Sequence, residues 1–148
     1  MNETVFASGE IVEVGNTTLR ELKQRAEASD RGQARLCMHR DPEALVHDLI
    51  NAYCRHAYAR PHRHPEGKSE SYHIIEGELT VYFFDDAGKV TRRLRMGEPG
   101  SGKVLVYRLS ARIWHLPVAE SDVAVYHETF CGPFVKERDV EYLSLIHI

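Results

Sequence analysis

The stretch Arg60-Pro61-His62-Arg63-His64-Pro65-Glu66-Gly67-Lys68-Ser69-Glu70-Ser71-Tyr72-His73-Ile74-Ile75-Glu76-Gly77 decides how this chain is read. His62 and His64 are separated by one residue. In an extended strand both imidazoles therefore emerge on one face, because side chains alternate with a period of two. Pro65 to Gly67 supply turn residues that can fold the chain back, so that Glu70 on the next strand meets the pair. Two imidazoles and a carboxylate on adjoining strands make three ligands for one divalent metal ion.

A fourth ligand candidate lies far along the chain. His115 stands in Leu109-Ser110-Ala111-Arg112-Ile113-Trp114-His115-Leu116-Pro117, a strand pattern preceded by a polar turn. A sheet that closes on itself can bring this strand back beside the first two. Three neutral imidazoles and one carboxylate suit Fe(II), Mn, Ni, Co or Zn and leave positions open for water or substrate.

The surrounding sequence supplies such a sheet. From about Tyr53 onward the hydrophobic period is two, with turn signals at short intervals, as in an antiparallel sandwich or barrel. Strands are expected near Tyr58 to His64, Ser69 to Glu76, Leu79 to Phe84, Val90 to Arg95, Val104 to Leu109, Ile113 to Val118 and Val123 to Phe130. Asp85-Asp86-Ala87-Gly88 makes the clearest hairpin turn. Leu79 to Phe84 is apolar or aromatic on both faces, so its outer face needs cover from the N-terminal helices or a second subunit.

Upstream the pattern differs. Ile11, Val12 and Val14 read as a short first strand, and Thr18-Leu19-Arg20-Glu21 has the spacing of a capping box opening a helix to about Ser29. Leu19, Leu22 and Ala26 form its apolar stripe. Arg31 to Arg40 is basic, and Asp41-Pro42 reads as the N-terminal cap of a short helix through Leu45, Val46, Leu49 and Ile50. The expectation is one mainly β domain over 1–142, preceded within it by a helical segment at about 17–50.

Composition narrows the function classes. A net charge of -3 over 148 residues gives neither the basic footprint of a nucleic-acid binder nor a polybasic membrane patch. With no signal-like start and no long apolar run, a cytoplasmic protein is expected. Cys37, Cys54 and Cys131 are odd in number and widely spaced, which favours reduced, buried thiols over disulfides. Residues 143–148, Leu-Ser-Leu-Ile-His-Ile, equal the translation of a transposase mosaic-end adapter used in sequencing libraries. They are expected to be non-native and are set apart from the site, His147 included.

The motifs carry a resemblance. His62-x-His64, Glu70, Gly77 six residues beyond it, and a later His115 resemble the paired motifs of the cupin superfamily. Arg60-Pro61-His62-Arg63-His64, Ser69 to Glu78, Trp114-His115-Leu116-Pro117 and His127-Glu128-Thr129 followed by Gly132-Pro133-Phe134 are similar to the WbuC family of cupin-fold metalloproteins. Arg35-Leu36-Cys37 and Asp41-Pro42 match that family's segment before the barrel. The resemblance implies a double-stranded β-helix, or jelly roll, enclosing one metal. It also implies a surface-polysaccharide (O-antigen) setting with no assigned reaction. Two departures stand out. Five residues separate His64 from Glu70 where the cupin pattern has three or four. Arg112 occupies a glycine position, where a positive φ is hard for it to adopt, so the turn is expected to differ locally.

Other residues complete the candidate site. Tyr58, Tyr72 and His127 are candidates for proton transfer, and Arg60 and Arg108 for binding a carboxylate or phosphate on a ligand. Whether His127 faces inward is left open by its strand. Two further matches fail on context. Gly97 to Lys103 fits a phosphate-binding loop but is followed by Val104 and a strand, and Glu70-Ser71-Tyr72-His73 lacks the helix that a di-iron E-x-x-H motif needs. The function expected is a metal-binding cupin with a small-molecule ligand and a homodimeric assembly. Isomerase- or oxygenase-type chemistry and non-catalytic binding both remain open.

Overall fold

The computed structural model describes residues 3–110 and 112–144. In chain order the elements are β1 (Thr4–Phe6), α1 (Asn16–Glu27), β2 (Gln33–Cys37), β3 (Val46–Cys54), β4 (His62–Arg63), β5 (Glu70–Glu76), β6 (Glu78–Phe84), β7 (Val90–Gly97), β8 (Val106–Leu109), β9 (Trp114–Ala119), β10 (Val123–Cys131), α2 (Lys136–Asp139) and β11 (Glu141–Tyr142). They form two sheets, β1-β2-β3-β10-β5-β8 and β11-β4-β9-β6-β7. The fold is mainly β, a jelly roll, as the alternation from Tyr53 onward requires.

The space between the sheets is filled by inward residues of both, among them Tyr72, Ile74, Leu79, Val81, Phe83, Met96 and Tyr126. A second apolar layer lies behind the larger sheet, where Leu19, Leu22 and Ala26 of α1 pack on Ala34, Ile50, Ala52, Cys54 and Val125. Lys23 of α1 also pairs with Glu76 at 2.5 Å. The large sheet is thus covered on both faces, which explains why β3 is buried without a break from Leu49 to Cys54. The outer face of β6 is not covered by this helix; Arg93 lies over the Tyr82 ring at 5.7 Å.

Several sequence expectations are corrected. In place of the helix expected through Leu45, Val46, Leu49 and Ile50, β3 starts at Val46, with Leu49 buried on the cavity side and Ile50 against α1. A short buried strand and a buried helix share the same apolar density, so periodicity alone could not separate them. Asp41 caps no helix; its Oδ1 accepts the Glu43 amide at 2.9 Å in a turn. Ile11 is 81% exposed rather than in a strand, and the first strand is β1. α1 begins at Asn16 after Gly15, with no side-chain cap from Thr18. The basic segment after Arg31 contains β2. Cys131 is exposed, whereas Cys37 and Cys54 are buried as expected. Arg112 does adopt a positive φ, 66°; its amide donates to the His64 carbonyl at 2.8 Å, which offsets the cost. Residues 145–148, including His147, lie outside the described residues.

Candidate metal centre

Four side chains, three of them on strands and His64 just past the end of β4, converge between the sheets. β4 carries His62, with His64 immediately beyond its end, β9 carries His115 and pairs with β4 through the His62–His115 register, and β5 opens with Glu70. The turn between β4 and β5 closes through a hydrogen bond from the Lys68 amide to the Pro65 carbonyl, with Gly67 at φ 80°. The five-residue spacing is absorbed there, and Glu70 points inward with 3% exposure.

The three rings are held in one tautomer by their backbone partners. Nδ1 of His62 bonds the Arg60 carbonyl at 2.9 Å, Nδ1 of His64 the Asp139 carbonyl at 2.8 Å, and Nδ1 of His115 the Ile113 carbonyl at 2.9 Å. A carbonyl only accepts, so each Nδ1 carries the hydrogen and each Nε2 presents a lone pair. One nitrogen from each of His62, His64 and His115 lies within 4.8 Å of the other two.

Glu70 meets two of these rings. Its Oε1 is 2.6 Å from His115 Nε2, and its Oε2 is 3.2 Å from His64 Nε2. Yet both carboxylate oxygens and both Nε2 atoms are buried with no partner in hydrogen-bond geometry. Buried acceptors gathered without donors are costly unless a cation or proton sits among them. The donor set, imidazole nitrogens plus one carboxylate, fits a divalent metal of the first transition series.

Electrostatics agree with that chemistry. Burial lowers His62 to about 4, helped by His115 and opposed by Glu70, so its ring is neutral at pH 7. Burial also opposes the charged form of His64, but the Glu70 carboxylate more than offsets it and raises this pKa. Burial alone would raise Glu70; the neighbouring His115 and His64 hold it well below its usual range.

The cluster opens into a cavity of about 860 Å3 that His62 and His64 line together with Tyr58, Arg60, Tyr72 and Tyr126. Arg60 lies at its edge with its guanidinium 4.4 Å from the Tyr142 ring. Tyr72 is buried against Tyr107 and Tyr126, and Tyr58 is 62% exposed. Two sequence candidates lie elsewhere. His127 points away from the cavity toward Asp48, at 3.2 Å, because Tyr126 and Glu128 take the inward positions of β10. Arg108 is exposed on the outer side of β8, while its neighbours Tyr107 and Leu109 are buried.

Sequence reasoning gave no role to Gln33, Arg35 and Glu128, which also line the cavity. Arg35 was hidden by the reading of its segment as a basic stretch. The alternation of β10 would have revealed Glu128 once Tyr126 was known to face inward.

The jelly roll is a cupin-type fold, and its inward histidine cluster is compatible with metal binding. The chain belongs to the family described as domain of unknown function DUF6016, whose model matches residues 14–96 and so spans His62, His64 and Glu70. No curated protein matches it. Among solved structures it is similar to protein SO0799 from Shewanella oneidensis at 16% identity and a TM-score of 0.61, covering 77% of this chain and 75% of that one. An oxalate oxidase in complex with glycolate matches at 13% identity and a TM-score of 0.59, covering 93% of this chain and 63% of that one. L-ribose isomerase from Cellulomonas parahominis matches at 14% identity and a TM-score of 0.58, covering 78% and 70%. These likenesses carry the fold alone. No helix among the described residues is long and apolar enough to cross a membrane.

Proposed function

We propose that this chain holds one divalent metal ion through His62, His64, His115 and Glu70 and binds a small anionic or sugar-derived ligand in the adjoining cavity. The observation that carries the reading is the convergence of three imidazoles, each turned inward by a carbonyl on its own Nδ1. When bound, such an ion supplies Lewis acidity or, if iron, a site for oxygen chemistry. The chain's own residues do the rest. Glu70 offsets part of the ion's charge, Tyr58 at the exposed edge offers a hydroxyl to a ligand, and Tyr72, Tyr107 and Tyr126 exclude water from the inner wall.

An oxalate oxidase and an L-ribose isomerase share this fold, so oxidase and isomerase chemistry on small acids and sugars both have precedent on it. Fold does not choose between them. A surface-polysaccharide setting rests on the WbuC-like motifs. A cytoplasmic homodimer is the assembly proposed.

Metal analysis of the purified protein tests the reading. About one equivalent per chain is expected, with His62→Ala and His115→Ala each losing it; unchanged metal content in both variants would show that the site is wrong. Bound iron with oxygen uptake would favour catalysis. Zinc, with stabilisation by a ligand and no turnover, would favour a binding protein.

A further inference from the structure

The larger sheet faces the histidines with charged groups that metal binding leaves unused. Gln33, Arg35 and Cys37 alternate along β2 and line the cavity, as do Glu128 and Tyr126 of β10. Between them on β3, Asn51 is register partner to both Arg35 and Tyr126. Four cations line the cavity: Arg31, Arg35, Arg60 and Lys136. Three are exposed to solvent, and Arg35 alone is not.

Arg35 enters no ion pair among the described residues. Glu128, the acid whose charge acts on it, instead accepts from Asn51 Nδ2 at 2.8 Å through Oε2. Asn51 Oδ1 is fully buried and has no hydrogen-bond partner. An unpaired guanidinium in a sheltered cavity offers two parallel N–H groups to an oxyanion, a geometry that carboxylates and phosphates both match. The acids nearby separate the two. A phosphate dianion at Arg35 would face Glu128, an acid that already feels the Glu70 charge, whereas a carboxylate brings a single charge.

We propose that Arg35 anchors a carboxylate, so that the cavity takes a small hydroxy acid or sugar acid whose oxygens also reach the metal, with Glu128 held by Asn51 disfavouring phosphate esters. This rests on the metal reading above for its second contact, but the anchor itself does not.

Calorimetric titration tests it, using L-malate, glycolate and D-gluconate as carboxylate probes, malamide as a neutral analogue and glycerol 3-phosphate as the phosphate ester. At least one carboxylate probe is expected to bind at least tenfold more tightly than malamide or glycerol 3-phosphate. Arg35→Met is expected to weaken that probe at least tenfold with metal content unchanged, and Arg35→Lys to weaken it less. Should Arg35→Met fail to fold, Arg35→Lys against wild type carries the comparison, because the single-point ammonium loses the paired contact. Equal binding by wild type and every folded variant would overturn the anchor. Tighter binding of glycerol 3-phosphate, or of no carboxylate probe at millimolar concentration, would overturn the ligand class. The titrations are repeated on metal-stripped protein: Arg35 dependence without metal retains the anchor even if metal analysis rejects the metal site.

Discussion

Each imidazole of the cluster is fixed by a carbonyl, but the protons on the Nε2 side respond to pH. His64 has a pKa raised above its ordinary 6.5 when folded, so the stability it contributes is present below 6.5 and is lost as pH rises through the folded value. Glu70 has a lowered pKa, and its contribution is present above its ordinary 4.5 and lost as pH falls through the folded value. The metal-free protein is therefore expected to lose thermal stability as pH rises beyond 6.5. A metal displaces the His64 proton, so the metal-loaded protein should show the opposite trend, gaining stability over that range. Melting curves of both forms between pH 5.5 and pH 8.5, about three units in all, would check this; parallel curves would rule out His64 as a ligand. Arg112 is a separate test at this scale. Its φ of 66° favours glycine, so Arg112→Gly should cost nothing in stability or gain up to about 1 kcal/mol, measured by urea denaturation.

Among the elements, the shortest ones hold the site. β4 is two residues long, and Arg63 fastens it from outside through Glu141 at 2.7 and 2.9 Å and the Trp114 ring at 4.1 Å. α2 is four residues long and positions His64 through the Asp139 carbonyl. Asp139 is itself pinned, its buried carboxylate accepting the Val135 amide at 2.7 Å and Arg138 Nε and Nη2 at 2.9 and 2.8 Å. Asp139→Ala removes those bonds and leaves the carbonyl free to shift. Metal affinity should fall by about tenfold while His62 and His115 keep their partners, read by competition with a chromophoric chelator. An unchanged affinity would show that α2 does not position His64. By contrast Leu22→Ala, in the layer behind the sheet, should cost about 2 to 4 kcal/mol of stability and leave metal affinity unchanged. β4 was legible as a strand presenting His62, although it was expected to run from Tyr58 to His64, whereas α2 was not legible as an element with this role. Residues after Val135 lack any periodic pattern, and their contact with His64 spans 75 positions.

At the scale of the whole molecule, what the sequence made legible was what period and spacing encode. The two-residue alternation from Tyr53 gave the strands, and the single residue between His62 and His64 gave a shared face. The stripe Leu19, Leu22, Ala26 gave α1, and all three are buried. β3 differs from the expected helix because it is buried on both faces, and Arg35 escaped notice because β2, paired between β1 and β3, lies in a segment whose charge masks its alternation. His127 could not be oriented until Tyr126 was seen inside the barrel. The donors come from both sheets, so the ion would tie them together. Stripping with a chelator should lower the melting temperature, and one equivalent of metal should restore it. The most direct measurement is the X-ray absorption spectrum of the metal-loaded protein. The expected shell has three imidazole nitrogens and at least one carboxylate oxygen, with the multiple scattering of three rings reduced to two in His115→Ala. A shell of oxygens alone, or imidazole scattering unchanged in that variant, would contradict the assignment of His62, His64, His115 and Glu70 as one metal site.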